Sequence, residues 1–319
     1  MSVEFEGRVA VVTGAGGGLG RTYARELAAR GAAVVVNDIG LTAAGDSRAE
    51  EVVNEIRAAG GIAMAHQGSV ADPDQARSLI SDTVDEYGKV DVLINNAGIT
   101  AMIDFASHSL ADLDDLLAIH LRGPFAATQE AYRHMERNGY GRIVITSSSA
   151  GVFGRHNGGG YTIGKAALIG LTNLVSIEGA KSGILANALL PSGSTKMEVR
   201  RDRDAVAGDT GATASERLRD AFVRLQPYLA PEFVTPLAVY LSSEQCDVSH
   251  RMYSVIGGRY ARAFIGVSDG WLVDSSTPPS VEELVEHLPE IESLESWTMP
   301  MSAEDEMTGV AELRQTSPV

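Results

Sequence analysis

The sequence predicts an α/β protein, a parallel sheet covered by helices on both faces. Three observations carry that reading. Short β-branched apolar runs recur along the chain, amphipathic helical patterns alternate with them, and a glycine cluster marks the first strand-to-helix junction. Runs that are apolar on both faces suit strands buried from both sides, and strict alternation with helices means βαβ units.

Residues 8–13 (RVAVVT) form the first such run. A helix follows the glycines, with Leu19, Tyr23 and Leu27 on one face and Gly31 as its stop. Residues 33–38 (AVVVND) are the second strand. The rhythm continues with a helix near 47–59, a strand near 62–66, a helix near 74–87 and a strand at 90–95 (VDVLIN). A long helix is expected at about 110–137, then a strand at 142–147, a helix at 161–181 and a strand at 184–190. A helix near 231–242 and a strand near 252–256 close the body, with no domain linker before about residue 270. The predicted organisation is one domain over residues 1–270, with a polar substrate lid near 198–225. An acidic C-terminal extension over 271–319 follows, partly disordered in its last fifteen residues.

Composition narrows the function. Lys+Arg number 26 against 42 Asp+Glu, a net charge of -16, which disfavours a nucleic-acid partner. Residues 279–319 hold ten of the acidic residues and one arginine. A single cysteine, Cys246, excludes an internal disulfide and a cysteine-based metal site, and no metal is expected. No apolar run reaches the ~18 residues of a membrane span, and the start MSVEFEGR is acidic where a signal peptide would be basic. The expectation is a soluble, cytoplasmic protein without a membrane partner.

Thr13-Gly14-Ala15-Gly16-Gly17-Gly18-Leu19-Gly20 follows a strand and opens a helix. Glycines let a backbone approach a pyrophosphate, and the helix N-terminus supplies free N–H groups and partial positive charge. Asp38 ends the second strand 24 residues after Gly14. A carboxylate there accepts hydrogen bonds from ribose hydroxyls and repels a 2′-phosphate. Neither Ala15 nor Ile39 is basic, so NAD is expected in preference to NADP. A plain structural turn, with Asp38 capping it, is the competing reading.

Tyr161 and Lys165 stand at i and i+4, on one helical face. Nine tyrosines and four lysines in 319 residues predict only ~0.1 such pairs by chance. A phenol working as acid–base near neutrality needs its pKa lowered by ~2–3 from about 10, and a fixed ammonium favours the phenolate. Ser148 lies 13 residues before Tyr161, at a strand end where its hydroxyl can polarise a carbonyl. Ser147 and Ser149 are alternatives by spacing. An ordinary surface pair on a helix is the competing reading of Tyr161 and Lys165.

TGAGGGLG at 13–20, NNAG at 95–98, Ser148 and the Tyr161/Lys165 pair together resemble the short-chain dehydrogenase/reductase family, over about residues 5–260. The resemblance implies a single Rossmann-like, doubly wound parallel sheet of order 3-2-1-4-5-6-7, with tyrosine as acid–base and lysine on the nicotinamide ribose. It places Gly14, Gly18, Leu19, Gly20, Asp38 and Ser69 against the dinucleotide, with Val70 beside adenine. Asn95, Asn96, Ala97 and Gly98 support the cofactor side, and Pro191 and Thr195 reach the nicotinamide. Members are commonly tetramers or dimers joined through the two long helices. One departure stands out: His120 occupies the place of an asparagine whose main-chain carbonyl holds a relay water. Pro124 has no N–H for the carbonyl four residues back, that of His120, so the relay is expected to survive. The imidazole is either an added proton acceptor or a packed helix histidine.

His-Leu-Arg-Gly at 120–123, VVVND at 34–38, GRIVITSS at 141–148 and SIEG at 176–179 are similar to the 3-hydroxyacyl-CoA dehydrogenase domain of peroxisomal multifunctional enzyme type 2. That implies NAD-linked interconversion of a secondary hydroxyl and a ketone, on a 3-hydroxyacyl-CoA or a bulky steroid or lipid substrate. Glycines at 158–160 either admit such a wide substrate or form a flexible surface loop. Arg200, Arg201 and Arg203 either meet a CoA phosphate or form a solvated face. A reductase of 3-ketoacyl thioesters or small carbonyls is the rival within the enzyme class. A non-catalytic dinucleotide-binding regulator or scaffold is the rival outside it.

Overall fold

In the computed structural model the apolar runs become strands whose successive side chains enter two separate cores. The structure describes residues 2–193, 199–201, 216–273 and 277–316. The chain divides into two compact units, Met1–Arg262 and Ala263–Val319.

In the first unit the order is β1 (Val9–Thr13), α1 (Gly18–Ala29), β2 (Ala33–Asn37), α2 (Arg48–Ala58), β3 (Ile62–His66), α3 (Pro73–Tyr87) and β4 (Val92–Asn95). Then come β5 (Thr100–Met102), α4 (Leu110–Leu117), α5 (Gly123–Asn138), β6 (Gly141–Thr146), α6 (Ser149–Phe153), α7 (Gly159–Gly179) and β7 (Ile184–Ser192). The unit ends with β8 (Val199–Arg201), α8 (Glu216–Leu225), α9 (Thr235–Ser242), β9 (Arg251–Ile256) and β10 (Arg259–Ala263). One sheet runs β10-β9-β7-β6-β4-β1-β2-β3. Its first seven strands in chain order are parallel and stand in the expected 3-2-1-4-5-6-7 arrangement. The sequence reading missed the eighth. Gly257 and Gly258, at φ 58° and 75°, form a two-residue turn of the mirror-image kind that folds β10 back on β9.

The two-residue period explains the two-sided burial. Ala10, Val12, Val34, Val36, Val92 and Ile94 pack on one face with Leu19, Tyr23 and Leu27 of α1 and Val53 and Ile56 of α2. Val11, Val35, Leu93, Ile143 and Ile145 pack on the other with Leu79 and Ile80 of α3, Ala127 and Ala131 of α5 and Leu168 of α7. The strands β1, β2, β4 and β6 therefore end together at one sheet edge. The order reverses at β1/β4, where open α/β sheets bind ligands.

The long helix expected at 110–137 is interrupted. Residues Ala118–Arg122 form a π-helical turn, in which the Gly123 N–H bonds the Ala118 carbonyl, five residues back. Pro124 has no N–H to restore the register behind it, and such turns recur at functional sites. A parallel pair, β5 with β8, sets Thr100 opposite Val199 and Met102 opposite Arg201. It gives the polar segment after β7 a strand of its own.

The second unit contains β11 (Val267–Ser268) antiparallel to β12 (Trp297–Thr298), with α10 (Val281–Glu286), α11 (Leu288–Ile291) and α12 (Ala303–Thr316). Acidic residues of the C-terminal extension open its last helix. Glu304, Asp305 and Glu306 occupy the first turn of α12, where the helix dipole favours them, and the Ser302 hydroxyl accepts the Asp305 N–H. Among the described residues no helix is long and apolar enough to cross a membrane, and no cluster of metal-ligating side chains is present.

Candidate active site

The glycine turn is built for close approach. Gly14 has φ 62°, and a Cβ there would lie 2.7 Å from the Ala97 Cα. A Cβ on Gly20 would lie 2.3 Å from the Gly14 carbonyl oxygen. Helix α1 starts at Gly18, φ 51°, with no side chain capping it. Its first N–H groups are thus left for a ligand, and anions favour such a terminus. The NNAG segment fastens to this turn. Asn96 Nδ2 donates to the carbonyls of Thr13 and Gly14 at 3.0 and 3.2 Å. The Thr13 hydroxyl accepts from the N–H groups of Asn96 and Ala97 at 2.9 and 3.0 Å.

Asp38 sits at the end of β2 with both carboxylate oxygens anchored. Oδ2 accepts the Gly16 N–H at 2.8 Å and Oδ1 the Gly40 N–H at 2.7 Å. Each oxygen keeps further lone pairs for ribose hydroxyls. The sequence reading missed a neighbour, Arg48, the first residue of α2. A Cβ on Gly16 would meet both Arg48 Cβ, at 2.7 Å, and the Asp38 carboxylate, at 2.8–2.9 Å. A Cβ on Gly40 would lie 2.9 Å from Asp38 Oδ1 and 3.7 Å from Arg48 Nε, so a basic side chain does stand near Asp38, supplied by the start of α2 rather than by Ala15 or Ile39. Ser69 and Val70 follow β3, and the Val70 carbonyl packs so closely on α5 that a Cβ on Gly123 would lie 1.7 Å from it. Pro191 lies in β7 opposite Val255. Thr195 and Arg203 lie outside the described residues, as does most of the segment expected as a lid.

The second half of the site gathers on α7. Tyr161 is 7% exposed and Lys165 3%, so the pair faces inward and is not a surface pair. Lys165 Nζ donates to the Thr146 carbonyl at 2.7 Å and lies 5.8 Å from the Tyr161 ring centroid. No carboxylate accompanies it among the ion pairs of the described residues, and burial pushes its ammonium down to about 7. Ser148 caps α6, its Oγ accepting the Ala150 N–H at 3.1 Å. Helix α6 lies flat on α7, since a Cβ on Gly151 would come within 2.6 Å of the Lys165 carbonyl carbon. The hydroxyl of Ser147, the alternative by spacing, donates to the Lys165 carbonyl at 2.6 Å.

His120 is fully buried on the π turn, edge-on to Tyr161 with centroids 5.3 Å apart. Its Nε2 lies 2.7 Å from the Ile99 carbonyl, which can only accept, so Nε2 carries the proton. Nδ1 is then a bare acceptor, buried and without a partner. Burial, and next the Lys165 charge, push this imidazole down to about 3. A Cβ on Gly98 would lie 3.4 Å from Nδ1 and 3.7 Å from Lys165 Nζ. The ring and the ammonium thus flank the same glycine.

The glycines at 158–160 do not widen the site. A Cβ on Gly159 would lie 2.9–3.1 Å from three ring atoms of His108, and one on Gly160 would lie 3.0 Å from His108 Nε2. The space at Gly159 and Gly160 is filled by an imidazole from the loop before α4, and that at Gly158 by Thr162 and the Arg155 carbonyl. Arg155 lies over the Tyr161 ring, 5.1 Å from its centroid, and donates to Thr100 Oγ1 at 3.2 Å.

The comparisons agree with this geometry. The family model for short chain dehydrogenases matches residues 8–205. A Mycobacterium tuberculosis protein named as a short-chain type dehydrogenase/reductase is 39% identical over 291 residues, covering 90% of this chain and 94% of its own. The structure of full-length peroxisomal multifunctional enzyme type 2 from Drosophila melanogaster is similar at 30% identity and TM-score 0.77, covering 98% of this chain. This chain spans 50% of that enzyme's length. A Beutenbergia cavernae structure named as an NAD(P)-dependent gluconate 5-dehydrogenase, with NADP bound at low occupancy, is similar at 31% identity and TM-score 0.68. It covers 80% of this chain and 97% of its own. A dinucleotide cradle and a buried tyrosine–lysine pair at one sheet edge thus accompany similarity along most of the chain, and the protein belongs to the short-chain dehydrogenase/reductase family of oxidoreductases.

Proposed function

We propose that this protein is an NAD-dependent dehydrogenase interconverting a secondary hydroxyl and a ketone on a 3-hydroxyacyl-CoA or bulky steroid or lipid substrate. The observation that carries it is the buried Tyr161 beside a lysine that has no carboxylate partner among the described residues. When bound, the nicotinamide dinucleotide supplies the hydride chemistry. Tyr161 holds the substrate hydroxyl proton at its Oη, as general base in oxidation and general acid in reduction. Ser148 Oγ donates to the substrate oxygen. Lys165 favours the phenolate and reaches ribose hydroxyls, its third donor direction being taken by the Thr146 carbonyl. His120 holds the Ile99 carbonyl and offers Nδ1 to a water moving protons from Lys165.

Support for NAD is Asp38, held by two N–H groups at the ribose end of the cradle. Support for a thioester of CoA is the placement of Arg200 and Arg201 on β8, paired with β5, against which Arg155 also bonds. Bulk rests on the likeness to multifunctional enzyme type 2, since the glycine loop lends none. The outer faces of α5 and α7 expose Phe125, Ile163, Leu174 and Ile177, which supports a homo-oligomer joined through these helices. One observation favours the rival, a reductase using NADP: Arg48 beside Asp38. Initial rates with NAD and NADP, across 3-hydroxyacyl-CoA chain lengths, steroid alcohols and small alcohols, decide the matter. The proposal expects NAD with the larger thioesters or steroids. Preferred use of NADPH on small carbonyls would replace it with the reductase. Tight dinucleotide binding with no turnover across the panel would leave a regulator.

A further inference from the structure

We infer that His108 is a positioning residue for Tyr161, acting as an external cap on the catalytic helix. The inference rests on the reading of Tyr161 as acid–base and goes beyond it. Gly158 precedes helix α7, which begins with Gly159 and Gly160, and no side chain of its own caps it. Tyr161 follows at once, in the first turn. Glycine is the least helix-favouring residue after proline, and an uncapped terminus leaves orphan N–H groups. A turn of this composition is loose by itself, yet it carries the phenol.

The structure shows what holds it. His108 Nε2 accepts the Gly160 N–H at 2.9 Å. An accepting Nε2 is unprotonated, so the neutral ring carries its proton on Nδ1, which is buried without a partner. The ring lies where a Cβ on Gly159 or Gly160 would stand, at 2.9–3.1 Å. Gly159, Gly160 and the histidine are therefore one device: a side chain at either glycine would expel the ring. A second strut sits beside it, the Ile103 N–H donating to the Asn157 carbonyl at 3.1 Å. Leu113 and Leu116 of α4 close the same spot, each 3.0 Å from a Cβ built on Gly160.

Three variants test this. His108→Ala removes the acceptor, and His108→Gln restores one as many bonds from Cβ as Nε2. Tyr161→Phe is the control for the underlying reading. Loss of an N-terminal cap of ordinary strength corresponds to about fivefold in rate when it bears on the reacting group. We expect His108→Ala to lower kcat about fivefold with the KM for NAD unchanged, and His108→Gln to recover to within about twofold. Amide exchange over residues 157–163, read by mass spectrometry on the cofactor-free enzyme, should quicken in His108→Ala and return in His108→Gln. Wild-type exchange and kcat in His108→Ala would overturn the inference, as would quickened exchange that His108→Gln fails to restore. An active Tyr161→Phe would overturn the reading beneath it, and the exchange result would still report on the cap.

Discussion

Lys165 sets up a test that needs no substrate. Its ammonium is pushed down to about 7 by burial, with one carbonyl as its hydrogen-bond partner. An unfolded lysine titrates near about 10.4. The folded pKa is therefore the lower of the two, and between these values the unfolded chain binds more protons than the folded one. Stability then rises with pH through this window, and the penalty is fully present below pH 7. Between pH 7 and pH 9 the gain is about 2 kcal/mol, or about 4 °C in Tm for a chain of this size. Lys165→Met keeps the length of the side chain and deletes the charge. It also leaves the Thr146 carbonyl without its donor, a cost of about 1–3 kcal/mol that does not vary with pH. The readout is therefore the slope and not the absolute Tm. Melting curves of cofactor-free wild type and variant at pH 7, 8 and 9 should converge or cross as pH rises, by about 4 °C over the range. Parallel curves would mean that Lys165 is solvated or paired in the folded protein, and the electrostatic account of Tyr161 would fall with that result.

Tyr161→Phe should lower kcat by about a thousandfold while NAD affinity, measured by calorimetry, stays within about twofold, because the phenol acts on the substrate proton. Arg48→Leu should cut kcat/KM for NADP about tenfold and leave NAD within about twofold; equal losses would show that Arg48 merely packs the glycine turn. His120 has a folded pKa of about 3, below its unfolded value, so the unfolded chain takes the proton first and stability falls as pH drops below about 6.5. His120→Asn should remove about 2 kcal/mol of that acid loss at pH 5, seen as a smaller Tm drop between pH 7 and 5 than in wild type. The same variant should leave the acidic limb of kcat in place, and its disappearance would assign that limb to His120.

What was legible in the sequence was short-range. The glycine turn, Asp38 and the Tyr161/Lys165 spacing each depend on one strand-to-helix junction or one helical face, where chain distance and spatial distance agree. The alternation of elements pointed to a parallel sheet, and the strand order came from the resemblance to the family that those motifs carry. What escaped was brought in by loops. Arg48 comes near Asp38 across a ten-residue excursion of the chain, and no periodicity governs where such a loop ends. His108 lies 52 residues from the Gly160 N–H that it accepts. The glycine run did signal something unusual, but the absence of side chains at 158–160 reads equally as an open pocket or as room for a ring. Pro124 announced a lost hydrogen bond, and not that the helix would slip by one residue at Ala118–Arg122. The strands β5 and β8, three residues each, are too short to carry a period.

The slip and the lone lysine belong to one argument. A buried cation is costly unless an anion pairs with it. The described surroundings of Lys165 Nζ offer a carbonyl, the edge of Gly98 and, across that glycine, the lone pair of His120 Nδ1. Neutral acceptors soften the cost without quenching the charge, as a carboxylate would. The π turn is what aims His120 inward with its other nitrogen tied to Ile99. Among the described residues the anion that can form beside it is the Tyr161 phenolate, its ring centroid 5.8 Å from Nζ, so the stabilisation withheld from Lys165 in the resting protein becomes available when the phenol gives up its proton. A carboxylate placed at Gly98 would relieve Lys165 permanently and for that reason should slow the reaction.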